Sequence, residues 1–269
     1  MTRILDFHAH LDERWLHVKC DCAADMVRTL DRFEVEAACV FTIMGFYEEC
    51  PAHNDALLQR ANEFPDRLIP FVTVDPKQGR AAVDELERCL ANKRFRGVKF
   101  HPWLQAFAAS MLSDTMMDIL HVSAKHSVPV LYHDGTPPYS TTYQIANLAR
   151  WSPETTIILG HAGSADYANP AAQLIRDIPN LHGCYCGSRP GDLEHLVELA
   201  SADKIIFGSD FGAAGWRLLP ERIDNVVEAD LTEDQLDLIL YDNAAKLLRL
   251  DEFPLHANVN AGAVAEARR

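Results

Sequence analysis

The amino-acid sequence predicts an α/β protein built as a (β/α)8 TIM barrel. Three observations carry this reading. Eight short apolar runs of strand length recur along the chain, each is followed by an amphipathic helical stretch, and polar titratable residues cluster just after the apolar runs rather than inside them. At 269 residues and 48% hydrophobic, the chain is the right size to close one such core. Periodicity alone also admits an open eight-stranded sheet; the polar strand ends are what a barrel mouth would gather.

The elements follow in order. Arg3 to His10 reads as the first strand and Ala23 to Phe33 as a helix; Ala37 to Ile43 and Leu68 to Val74 are the next strands, separated by a helix over Asn54 to Phe64. Asp75-Pro76 stops the third strand, and Val83, Leu86 and Leu90 mark the buried face of a helix over Ala81 to Asn92. Strands over Arg96 to His101, Val128 to His133, Thr155 to His161, Leu181 to Cys186 and Lys204 to Ser209 complete the eight. The helices between them cover Asp114 to His126, Thr141 to Trp151, Pro170 to Arg176 and Gly191 to Ala200, and two more, Pro220 to Glu228 and Glu233 to Leu250, end the periodic region. No repeat or linker divides this stretch, so residues 1–250 are expected to form one domain and 251–269, Ala-rich and aperiodic, a C-terminal arm or disordered tail.

A formal net charge of −14 without a Lys/Arg cluster argues against nucleic acid as a partner. No apolar run is long enough to span a bilayer and no signal-like segment opens the chain, so a cytoplasmic protein is expected. Seven scattered cysteines, an odd number, read as reduced thiols. The pairs Cys20/Cys22 and Cys184/Cys186 lack the spacing of a structural zinc site and are expected to be ordinary side chains.

Chemistry is concentrated at the strand ends. In Asp6-Phe7-His8-Ala9-His10, strand alternation turns His8 and His10 the same way and Ala9 the other, so two imidazoles converge. The fourth strand ends in Lys99-Phe100-His101-Pro102-Trp103, the fifth in Tyr132-His133-Asp134-Gly135, the sixth in Gly160-His161-Ala162-Gly163 and the eighth in Gly208-Ser209-Asp210-Phe211. One histidine at a strand end is usually structural. Histidines at corresponding positions on strands one, four, five and six have no structural reason to coincide, and they point to a metal or catalytic centre.

With Val-Lys-x-His-Pro on the fourth strand, Leu-Gly-His-x-Gly on the sixth, Phe-Gly-Ser-Asp on the eighth and Asn243-Ala244-Ala245-Lys246-Leu247-Leu248 in the last helix, these motifs resemble the amidohydrolase superfamily. The closest resemblance is to its amidohydrolase-related branch, which includes aminocarboxymuconate-semialdehyde decarboxylase, gamma-resorcylate decarboxylase and lactonases, and it spans residues 4 to about 250. It implies a divalent metal held by His8, His10, His133 and Asp210, with His161 beside it. Imidazoles with a carboxylate suit zinc best, with manganese, iron or cobalt as alternatives. A metal-activated water would attack a carbonyl centre, Asp210 would carry the proton and His161 would polarise the carbonyl. Lys99 and His101 match the place where two-metal members carry a bridging carboxylated lysine; they are expected to serve a second ion or the substrate.

The loops after the strands must choose the substrate, and Trp103, Tyr139, Arg189 and Trp216, with Gln105 and Arg217 nearby, are the expected contacts. An aromatic wall with arginines suits a small cyclic or aromatic carboxylate. The first expectation is therefore a hydrolase of a lactone, cyclic amide or related small molecule. Its rivals are a metal-dependent non-oxidative decarboxylase of an aromatic or muconate-type acid, and a non-catalytic ligand-binding barrel. The expected partner is a small-molecule substrate, with a homo-oligomer left open.

Overall fold

Eight parallel strands wind once around a common axis and each is backed by a helix. The computed structural model describes residues 2–111, 113–187, 191–212 and 217–255. β1 (Leu5–His10) is followed by an unforeseen hairpin, β2 (Arg14–Trp15) with β3 (Val18–Lys19), and then by α1 (Ala23–Arg32). The alternation continues through β4 (Ala37–Phe41), α2 (Cys50–Ala61), β5 (Leu68–Val72), α3 (Arg80–Leu90), β6 (Gly97–Phe100), α4 (Ser113–Lys125), β7 (Val130–Tyr132), α5 (Thr142–Trp151) and β8 (Ile157–Leu159). It closes with α6 (Ser164–Asp177), β9 (Leu181–Tyr185), α7 (Asp192–Ala200), β10 (Ile205–Phe207) and α8 (Leu218–Val227). A last helical stretch runs through α9 (Glu233–Asp237), a π-helical turn over Leu238–Asp242 and α10 (Asn243–Leu247).

Hydrogen bonding orders the barrel strands β1-β4-β5-β6-β7-β8-β9-β10. The ring shuts where the Phe211 carbonyl accepts from the His10 N–H at 2.8 Å and the His8 carbonyl accepts from the Asp210 N–H at 2.7 Å. The expected fold is thus the observed one. Two boundaries moved for a local reason. Pro51 sits in the first turn of α2, where a missing N–H is harmless, so that helix begins before Asn54. Pro170 lies inside α6 instead of opening it.

Strand alternation sorts the side chains into two cores. Ala38, Val40, Val72, Val98, Val130, Ile157 and Ile205 face the helices, while Cys39, Phe41, Phe71, Leu131, Ile158 and Ile206 fill the barrel. β1 breaks the alternation. Its register against β4 runs from Asp6↔Ala38 to Ala9↔Val40, three steps on one strand against two on the other, so β1 carries one extra residue. Such a bulge re-aims side chains. Leu5 and Phe7 enter the inner core, Ala9 joins the outer one, and His8 and His10 still turn toward the centre. The two imidazoles therefore stack above an apolar plug made partly by their own strand.

Candidate metal centre

His8, His10 and Asp210 bring their ligand atoms together, all lying within 4.8 Å of one another. Asp210 Oδ1 stands 3.2 Å from His8 Nε2 and 3.0 Å from His10 Nε2. The end of β10 makes this meeting possible. Asp210 adopts a left-handed backbone (φ 59°), a region that aspartate tolerates better than most residues, and this turns its carboxylate across to β1. Gly208 precedes it because a Cβ there would fall 2.7 Å from the His8 Cβ. Gly160 is required for a similar reason: its carbonyl must approach the His8 ring, and an added Cβ would lie 2.5 Å from the Tyr132 carbonyl oxygen.

That Gly160 carbonyl decides the His8 tautomer. It accepts from Nδ1 at 3.0 Å, so Nε2 presents a lone pair to the centre of the site. A lone pair facing a carboxylate oxygen at 3.2 Å is two acceptors without a proton between them. A cation reconciles them. Lys99 supplies one, donating from Nζ to the same Nε2 at 3.2 Å, and a divalent ion would supply another. Among the described residues, the buried His133 Nε2 also has no hydrogen-bond partner. A donor set of imidazoles and one carboxylate therefore fits a divalent metal, and the fit rests on this geometry.

The electrostatics keep the ligands in binding form. Burial pushes the His8 imidazole far below its usual range, and the Lys99 ammonium adds to the effect. His133 and His101 are lowered in the same way by burial, with neighbouring His161 and Lys99 contributing. Burial opposes ionisation of Asp210 too, yet its carboxyl is held well below its usual range, with the His10 ring hydrogen-bonded to Oδ1 at 3.0 Å. Neutral imidazoles beside an ionised carboxylate are what a metal requires.

The other expected residues divide. His133 stacks on His101 at 3.7 Å between ring centroids, and its Nδ1 meets His161 Nε2 at 2.8 Å. His161 is fixed by Asp134, whose carboxylate accepts from the backbone N–H of His161 at 2.6 Å and of Gly163 at 2.7 Å. Lys99 is fully buried against the Phe41 ring, its Nζ 4.7 Å from the centroid, with burial lowering its pKa to about 8. It reaches His8 from within the barrel and is not part of the pocket wall. His101, His133 and Trp103 line the pocket; Tyr139, in the tight turn from Thr136 to Ser140, is not among its lining residues. Arg189 and Trp216, like the tail from 256 onward, lie outside the described residues.

Sequence reasoning missed several residues that structure places at the site. Trp15 from the β2–β3 hairpin, Ile43, Tyr47, Leu104 and Leu218 join His8, His10, His101, Trp103, His133 and Asp210 around a pocket of about 300 Å³. Cys186, set aside in the sequence, lies with its Sγ 3.5 Å from His8 Nδ1 and 3.1 Å from the Gly160 carbonyl.

An amidohydrolase family model matches residues 6–250, nearly the whole chain and every element of this site. The chain belongs to the amidohydrolase family. Amidohydrolases in this sense are enzymes, and a divalent metal is the cofactor that both the family and the donor set support. No curated protein sequence matches the chain. Solved structures with the same fold include 2,6-dihydroxybenzoate decarboxylase from Rhizobium, with a TM-score of 0.73 at 18% identity over 93% of this chain and 100% of that one. A dihydroxybenzoic acid decarboxylase from Polaromonas sp. JS666, with bound manganese and the inhibitor 2-nitroresorcinol, also gives 0.73 at 18%, over 93% and 98%. The 5-carboxyvanillate decarboxylase of Sphingomonas paucimobilis gives 0.75 at 13%, over 93% and 99%. At such identities the likeness is one of fold. Among the described residues no helix is long and apolar enough to cross a membrane.

Proposed function

We propose that this amidohydrolase is a metal-dependent, non-oxidative decarboxylase of a small aromatic acid, the rival that the sequence placed second to hydrolysis. The observation that carries this reading is the division of the pocket: its polar groups, His8, His10, His101, His133 and Asp210, sit together, and the rest of the wall is Trp15, Ile43, Tyr47, Trp103, Leu104 and Leu218. A flat ring matches such a wall, with its carboxylate turned to the polar side. The decarboxylases of like fold act on substrates of this shape.

His8, His10, His133 and Asp210 would hold the ion. A divalent ion there supplies positive charge to grip the substrate carboxylate, and both zinc and manganese suit the donors. Apolar walls exclude water and orient the ring. Asp210 is the proton carrier because it lines the pocket and remains ionised, whereas His161 lies off the wall. The substrate binds as its carboxylate, so Asp210 relays a proton taken from solvent; as the bond between ring and carboxyl carbon breaks, the electron pair stays on the ring carbon, that proton is delivered there and carbon dioxide leaves. One acid then gives one arene and one carbon dioxide. His161, held by Asp134 and bonded to His133, fixes the His133 ring.

A substrate panel tests this reading. Carbon dioxide release from hydroxybenzoates, without turnover of lactones, esters or cyclic amides, is expected; hydrolysis of the latter group with no carbon dioxide released would overturn it.

A further inference from the structure

Asp6 opens the Asp-x-His-x-His motif, yet nothing in the proposed reaction uses it. It is completely buried, and among the described residues it makes no ion pair. Its contacts are three donors. Oδ1 accepts from the backbone N–H of His8 at 3.0 Å and of Ser209 at 3.0 Å, and Oδ2 accepts from the Ser209 hydroxyl at 2.5 Å. The Ser209 Oγ in turn accepts from the Phe211 N–H at 3.2 Å.

These donors sit where the strand ladder fails. The extra residue of β1 falls between Asp6 and Ala9, and a bulge leaves main-chain groups unpaired. The His8 N–H has the Asp6 carboxylate instead of a strand partner. Across the seam, β10 ends at Phe207 and the bridge to β1 forms only at Ala9↔Phe211, so the Ser209 N–H also lacks a ladder acceptor. Asp6 takes both. One carboxylate thus ties the bulge that aims His8 to the turn that aims Asp210, the two side chains whose ligand atoms stand 3.2 Å apart.

We infer that Asp6 is the positioning residue of the metal centre, setting the spacing of His8 and Asp210 by holding the β1 bulge against Ser209. The inference rests on the metal-dependent reading above and adds a residue to it. Supporting groups around metal ligands are worth about 10–100-fold in affinity when removed. A purely structural latch would act differently, lowering the stability of the barrel without altering the affinity of what remains folded.

The experiment measures the affinity of the full-length metal-free protein for Mn2+ and Zn2+ by chelator competition without substrate, with thermal unfolding of the same samples. Asp6→Ala is expected to weaken binding by about 10-fold or more. Asp6→Asn, which keeps a neutral acceptor in the same place, should fall between Asp6→Ala and the unaltered protein. Ser209→Ala, losing one of three donors, should show a smaller loss and serves as the decisive variant if Asp6→Ala does not fold. Asn243→Ala is the comparison: its amide spans the Ala202 and Ile205 carbonyls at the other end of β10, so it should lower thermal stability and leave affinity unchanged. Unchanged affinity in folded Asp6→Ala, or in Ser209→Ala where Asp6→Ala fails, overturns the inference while leaving the metal reading intact. Absence of binding in the unaltered protein overturns both.

Discussion

The barrel interior has two halves that obey different rules. Toward the N-terminal ends of the strands, Leu5, Phe7, Phe71, Leu131, Ile158 and Ile206 are essentially inaccessible and apolar. Toward the C-terminal ends, on β1 and just past the ends of β6, β7 and β10, stand His8, His10, His101, His133 and Asp210. Phe41 belongs to both, packing at 5.1 Å from His8 and 4.7 Å from His10 by ring centroids while it contacts Phe71 below. The lesson is that burial stabilises the lower half, whereas the upper half tolerates buried polar groups because they satisfy one another or a cation. Substitutions in the two halves should therefore separate activity from stability.

The largest effect is expected at Asp210. Asp210→Asn keeps the side-chain volume but removes the proton carrier, so kcat should fall by about 10²–10⁴ while the thermal midpoint hardly moves. Full turnover in that variant would break the comparison. Next comes His133→Ala, expected to weaken metal binding by at least about 10-fold, read by equilibrium dialysis, along with turnover. Ile158→Ala probes the lower half. It should cost about 2–5 kcal/mol in urea unfolding and leave kcat per folded molecule unchanged.

The smallest effect sharpens the contrast between buried histidines. His182 lies on β9 near its start, with Lys204, Asp203 and Lys246 as its charged neighbours, and burial lowers its pKa from 6.5 to about 4. The unfolded chain then binds a proton that the folded one refuses. Its contribution is whole above pH 6.5 and is lost progressively as pH falls toward about 4. His182→Gln should flatten that part of the stability profile without changing turnover near neutral pH, and an unaltered slope in chemical unfolding would show that other groups set it.

The barrel and its polar mouth were legible because strand and helix periods differ and because His101, His133, His161 and Asp210 follow apolar runs without interrupting them. The β1 bulge was not. One extra residue between Asp6 and Ala9 leaves the apolar pattern intact, so Phe7 and His8 looked like opposite faces of a regular strand. The β2–β3 hairpin escaped notice because strands of two residues have no period to read, and with it went Trp15 as a wall of the pocket. Tyr47, at the end of a short 3-10 turn, and Cys186, beneath His8, depend on contacts distant in sequence.

The central claim is that the upper half of the barrel holds a metal ion on the histidines of β1. Metal content after loading with Mn2+ or Zn2+ and removal of free ion, compared between the unaltered chain and His8→Ala, tests it most directly. The account predicts bound metal in the unaltered chain and its loss in the variant; equal metal content in the two proteins, or none in either, would contradict it.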